Sequence, residues 1–161
     1  MNELGWVFIG SWANLLACML FVHVIWDFRV QGILADMKCK RWWREQALHP
    51  PVYYRTDVHY TPEMYSRDYI AGLLIHGFEW SAAVHLPILI FVSPDIVFSS
   101  LIFPVSIVIN GAVHAFIDHL KCNRLSIDLN TDQFLHLVQL TVTSAVLAIA
   151  LAIGAAQAAG I

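Results

Sequence analysis

Charge is what this sequence has least of. Asp, Glu, Lys and Arg make up 13% of its 161 residues against 58% hydrophobic, with a mean hydropathy of +0.63. That balance excludes an ordinary soluble domain and points to a small integral membrane protein. Cysteine is scarce too: Cys18, Cys39 and Cys122 are odd in number and lack C-x-x-C spacing. This argues against a disulfide framework or a thiolate zinc site and for reduced, structural thiols. No glycine-rich phosphate loop, G-x-S-x-G elbow or nucleic-acid motif occurs. The chain opens Met1-Asn2-Glu3 with no basic region before its first apolar stretch, so that stretch is expected to be retained rather than cleaved as a signal.

Four apolar stretches account for the hydropathy, at about residues 4–28, 69–92, 95–120 and 132–154. Each exceeds the ~20 residues a helix needs to cross the hydrocarbon core. The expected fold is one domain over residues 1–161, an all-α integral membrane four-helix bundle with both termini on the same side. The connection at about 29–68 and the one near Lys121 to Thr131 then share the other side. Every basic residue lies there: Arg29, Lys38, Lys40, Arg41, Arg44, Arg55, Arg67, Lys121 and Arg124. The side with the termini and the Ser93-Pro94-Asp95 turn has none, so the basic side is expected to be cytoplasmic and the termini outward.

The long connection carries Trp42, Trp43, Tyr53, Tyr54, Tyr60 and Tyr65 among its charges, a composition suited to the lipid headgroup layer. Its Ile33–Ala47 segment is expected to be helical along the interface and to end by Pro50-Pro51. In the fourth stretch the run AIALAIGAAQAAG, with Ala150 and Gly154 four apart, lets helices approach closely and is a candidate face for bundle packing or a homo-oligomer.

Chemistry enters through three pairs four residues apart: His23 with Asp27, His114 with Asp118, and Asp132 with His136. On a helix that spacing sets both side chains on one face, one turn apart. His76 lies about two turns into the second helix, and the alternation of helix direction puts all seven groups in the same half of the membrane. An ionisable group there costs at least ~2.5 kcal/mol on insertion scales, so seven at one depth call for mutual neutralisation. One or two divalent metals supply it, with zinc, iron and manganese all compatible with imidazole and carboxylate ligands. A metal-free proton relay is the alternative.

Candidate metal ligands are therefore His23, Asp27, His76, His114, Asp118, Asp132 and His136. Asp27, Asp132 and Glu79 are candidate catalytic carboxylates. Gln31 and Asn110 continue the same stripes and are placed to orient imidazoles. Lys38, Lys121 and Gln133 are candidates to hold an anionic substrate at the mouth. His85 is expected to be packing, and His49, His59 and His119 are not expected to be ligands.

The ordered elements H-x-x-x-D-F-x-x-Q (His23, Asp27, Phe28, Gln31), Lys38, His76, N-x-x-x-H-x-x-x-D-x-x-K (Asn110, His114, Asp118, Lys121) and D-Q-x-x-H (Asp132, Gln133, His136) resemble a membrane family of bacteria and phages, domain of unknown function 3307. Trp26 departs from it, standing where a small residue is expected before the Asp. The resemblance implies a multi-pass protein of the bacterial inner membrane and supplies no reaction. More loosely the chain is similar to membrane-bound metal-dependent hydrolases, which by analogy raises phosphoester hydrolysis above other hydrolyses.

The leading expectation is a membrane-embedded, metal-dependent hydrolase acting at the cytoplasmic side on a phosphoester or lipid headgroup, with membrane lipid as its partner. Two other readings use the same residues: a transport protein handling metal or protons, and a non-catalytic membrane interaction protein with a structural metal.

Overall fold

The structure, a computed structural model, describes residues 3–49, 59–91 and 101–158. Among these it is all-helical, and four helices are long and apolar enough to cross a membrane: Ile9–Val30, Asp68–Ile90, Ile102–Cys122 and Leu129–Gly154. We number the elements α1 (Glu3–Ile25), α2 (Leu34–Met37), α3 (Lys40–Leu48), α4 (Asp68–His85), α5 (Ile88–Phe91), α6 (Ile102–Cys122) and α7 (Leu129–Ala158). Many apolar side chains are exposed, among them Val24, Phe116, Val142 and Ile153. Such a surface is suited to contact with lipid, where no water penalises it.

Each long helix ends for a local reason. α1 widens into a π-helical turn over Trp26–Val30, closed by the Gln31 N–H on the Trp26 carbonyl at 3.1 Å, and this turn carries the buried Asp27. Gly32, at φ +51°, then reverses the chain. α4 stops before Pro87, whose missing N–H separates it from α5. α7 begins behind Asp128, whose Oδ1 accepts the Thr131 N–H at 2.8 Å. Those hydrogen bonds hold the Asp128 carboxyl below the usual carboxylate range.

The half of the bundle away from the long connection has a largely apolar core. Leu15, Met19, Trp80, Val84, Ile88, Phe103, Leu140 and Leu147 are buried against one another. His85 belongs to this region, with Nδ1 on the Ser81 carbonyl at 2.7 Å, Nε2 on Ser106 Oγ at 2.9 Å and its edge on Phe103.

Two glycines bring α4 and α6 together. A Cβ on Gly77 would lie 2.5 Å from the Gly111 carbonyl oxygen, and one on Gly111 would meet Phe78 at 3.0 Å. Only glycine permits this approach, and it aligns the preceding residue of α4, His76, with α6. Gly72 plays the same part for the interfacial segment: a Cβ there would collide with the Met37 carbonyl. By contrast nothing lies within 4 Å of a Cβ built on Gly154.

The interfacial segment differs from the single helix expected over Ile33–Ala47. It forms α2 and α3, broken at Cys39, whose backbone is extended at φ −106°, ψ 126°. The break lets Lys38 turn inward while α3 lies across the mouth, where Trp43 Nε1 donates to the Met37 carbonyl at 2.7 Å and its ring stacks on Tyr65. Pro50-Pro51, Tyr53, Tyr54 and Arg55 lie outside the described residues, as does the Ser93-Pro94-Asp95 turn with the expected start of the third helix; the described helix begins at Ile102.

Two of the three thiols, expected to stand apart, are brought together. Cys39 and Cys122 form a disulfide, their Cα atoms 5.4 Å apart, and Cys18 alone is free. The pairing spans 83 residues and is made by topology, since the turn before α3 rests on the end of α6. Spacing along the chain carries no trace of it.

Candidate metal centre

The helices converge their polar residues at one level. α1 and α6 contribute from their last turns, α7 from its first, and α4 from its middle. His23, Asp27, His76, His114, Asp118, Asp132 and His136 are all at most 5% exposed.

Four of their atoms form a cage. His76 Nε2 lies 3.1 Å from His114 Nε2, 3.3 Å from Asp118 Oδ2 and 3.4 Å from Asp27 Oδ1. His114 Nε2 is 3.4 Å from Asp118 Oδ2 and 4.0 Å from Asp27 Oδ1. Four ligands at the ~2.0–2.1 Å bond lengths of zinc sit about 3.3–3.4 Å from one another at the corners of a tetrahedron. The three contacts of His76 Nε2 and the His114–Asp118 contact have about that spacing, the His114–Asp27 contact is longer, and Asp118 Oδ2 also receives Lys38 at 2.9 Å. Asp27, His76 and His114 form one group able to hold a metal ion; His114, Asp118 and His136 form a second, and Asp27, Asp132 and His136 a third.

The rings are held by stacking. The Trp80 and His114 planes are 15° apart with centroids at 4.0 Å, and His136 stacks on His114 with centroids at 4.2 Å. Asp27 Oδ1, His76 Nδ1, His114 Nδ1, Asp132 Oδ1 and His136 Nε2 are buried without a hydrogen-bond partner. Such orphans are rare in folded proteins, because each forfeits the hydrogen bonds it would make in water.

His23 takes a different place from the one expected of a ligand. Trp80 Nε1, which can only donate, is 2.9 Å from His23 Nδ1, so that nitrogen is the acceptor. The neutral ring then carries its proton on Nε2, which donates to Gln133 Oε1 at 3.1 Å. Gln133 Nε2 in turn donates to Asp132 Oδ2 at 3.0 Å and Asp27 Oδ2 at 3.3 Å. Both ring nitrogens of His23 are thus occupied, and the residue positions the amide that joins two carboxylates.

The expected substrate-binding groups are largely consumed by the protein. Lys38 is only 8% exposed. It donates to Asp118 Oδ2 at 2.9 Å and Gln31 Oε1 at 3.1 Å, and stands 4.0 Å from Asp27 Oδ1. Gln31, whose amide nitrogen is bonded to the Asp27 carbonyl, therefore orients a lysine rather than an imidazole. Lys121 pairs with Asp132 Oδ2 at 2.7 Å and keeps a third of its side chain exposed at the mouth.

Glu79 stands apart. It is exposed on α4 while His76 and Trp80 on either side of it are buried, and it faces a cleft with Trp26, Ala82, Ala83 and Leu86. Three residues beyond His76 it sits on the shoulder of the ligand face, and the bundle turns that shoulder outward. Asn110 is buried, but it acts on α7 rather than on His114: its Oδ1 accepts from Gln139 Nε2 at 3.0 Å and Thr143 Oγ1 at 2.7 Å. His119 stacks on Tyr69 outside the cluster. Trp80, Gln139 and Thr143 were not expected in the site; Gln139 and Thr143 continue the helical face of Asp132 and His136 further into an apolar helix, and Trp80 lies one turn beyond His76.

No family model, no curated protein and no solved structure matches the chain.

Proposed function

We propose that the protein is a membrane-embedded, metal-dependent hydrolase, acting on a phosphoester or other ester at headgroup depth from the cytoplasmic side. The observation that carries this reading is the cage of His76, His114, Asp27 and Asp118, in which His76 Nε2 has the other three ligand atoms at 3.1–3.4 Å, close to the ligand spacing around a tetrahedral ion. Zinc is the metal best suited to two imidazoles and two carboxylates; manganese and iron are compatible.

Bound metal would lower the pKa of a coordinated water and polarise the ester oxygen. The oxygen of that water would bond to phosphorus or the acyl carbon while the ester oxygen left with its electron pair, and a carboxylate oxygen of the cluster not holding metal would take the proton and return it to the leaving oxygen. The one-sided placement supports chemistry over conduction. Beyond the cluster the ionisable groups give way to the apolar side chains around Trp80, Leu140 and Leu147, with His85 and a few hydroxyls bonded among them.

The test is turnover by the full chain purified in detergent, loaded with zinc or manganese, against bis(p-nitrophenyl) phosphate, phosphatidylglycerol vesicles and p-nitrophenyl acetate. Hydrolysis of at least one, lost on chelation, restored by metal and absent from Asp27→Asn, is expected. Protein that binds metal and cleaves none of the three contradicts the reading.

A further inference from the structure

The cage leaves two buried donors of the cluster facing each other. Asp132 and His136 are both 0% exposed, and Asp132 Oδ1 and His136 Nε2 stand 3.6 Å apart with no hydrogen-bond partner for either.

Their protonation follows from the wiring behind them. Asn110 Nδ2 donates to the Ser106 carbonyl at 2.9 Å, which makes its Oδ1 an acceptor for Thr143 and Gln139. Gln139 Nε2 is held a second time by the Asn110 carbonyl at 2.8 Å. With its amide nitrogen so fixed, Gln139 turns Oε1 to His136 Nδ1 at 3.5 Å, and the ring proton of a neutral His136 belongs on Nδ1. Nε2 then faces the Asp132 carboxylate at 3.6 Å, beyond hydrogen-bond length, and both atoms are left without a partner. On the far side, Asp132 Oδ2 is taken by Lys121 and Gln133, so Asp132 cannot turn away.

Asp27 completes the arrangement. Its Oδ1 is in the cage, while its Oδ2 receives Gln133 on the side of Asp132. Asp27, Asp132 and His136 offer ligand atoms within 4.8 Å of one another. We propose that these three hold a second divalent cation, with the Asp27 carboxylate bridging it to the ion in the cage. The proposal rests on the metal reading above and deepens it.

A binuclear centre also narrows the substrate. Three carboxylates and the two ammonium groups of Lys38 and Lys121 carry one net negative charge, and two dications turn that into an excess of positive charge at a buried point. An anion is then required for neutrality. A phosphoester supplies it, and paired ions stabilise both the attacking and the leaving oxygen of in-line displacement at phosphorus. Lys121, partly exposed at the mouth, lies where such an anion arrives.

The experiment is metal titration of the chelator-stripped full chain in detergent, with bound Mn²⁺ counted by elemental analysis and read by electron paramagnetic resonance. Two ions per chain with an exchange-coupled signal are expected. His136→Gln should bind one ion and show an isolated six-line signal. Gln139→Leu, outside both ligand sets, should keep the first ion and weaken the second about 10- to 100-fold. Inorganic phosphate should bind the two-ion form at least tenfold more tightly than the one-ion form. A single ion in the wild type, unchanged by His136→Gln, overturns the second site and leaves the first; no bound ion overturns both. Equal phosphate affinity of the two forms overturns the substrate class.

Discussion

His76 and His114 meet through their Nε2 atoms at 3.1 Å across the α4–α6 interface, and they do so because Gly77 and Gly111, one residue and three residues away, let the two backbones touch. The site is therefore built by helix approach as much as by its ligands.

Gly77→Ala tests that relationship without changing a polar atom. Its methyl would lie 2.5 Å from the Gly111 carbonyl oxygen, so the helices must separate. Overpacking of this kind costs about 1–3 kcal/mol. We expect a lower unfolding temperature in detergent together with reduced metal content. Unchanged metal content with an unchanged unfolding temperature would show that the helix approach is dispensable.

Asp118→Ala leaves Lys38 buried without its 2.9 Å partner. Breaking a buried pair by removing one member typically costs about 3–5 kcal/mol. The double variant Asp118→Ala with Lys38→Met removes the stranded charge and should recover much of that loss in thermal unfolding while binding no metal in the cage. Recovery of metal along with stability would mean Asp118 is not a ligand.

His23 separates positioning from ligation. Because its nitrogens are spent on Trp80 and Gln133, His23→Ala should retain metal at unchanged stoichiometry with about 10- to 100-fold weaker affinity, whereas His76→Ala should lose the cage ion. Equal loss in both variants would make His23 a ligand after all.

The disulfide tests the orientation. Cys39 and Cys122 lie on the basic side, which the proposed orientation puts in the cytoplasm, where thiols are kept reduced. Alkylation in intact cells before lysis should therefore find both as thiols, and the bond should form on air oxidation of purified protein. A bond already present in cells would put that side outside the cytoplasm and the termini within it.

Which parts were legible in the sequence follows from which interactions are local. The three i,i+4 pairs announce themselves because helical spacing alone puts each on one face, and His76 follows from depth. Lys38 was read as a group at the mouth because nothing local reveals that Gly72 lets the Met37–Lys38 turn sink against α4. Gln139 and Trp80 escaped notice because their partners, His136 with Asn110 and His23, are set by the meeting of helices distant in the chain. The Cys39–Cys122 pair has the same cause. Glu79 misled because three-residue spacing leaves a side chain on the edge of a face, and packing decides which way the edge turns.

The central claim is that the cage of Asp27, His76, His114 and Asp118 holds a metal ion. Zinc K-edge X-ray absorption of the purified full chain carrying one equivalent of zinc tests it most directly. The account predicts four nitrogen or oxygen ligands at about 2.0–2.1 Å, with outer scattering from two imidazoles and no sulfur. Failure to retain one equivalent of zinc, or a sulfur ligand at about 2.3 Å, would contradict it.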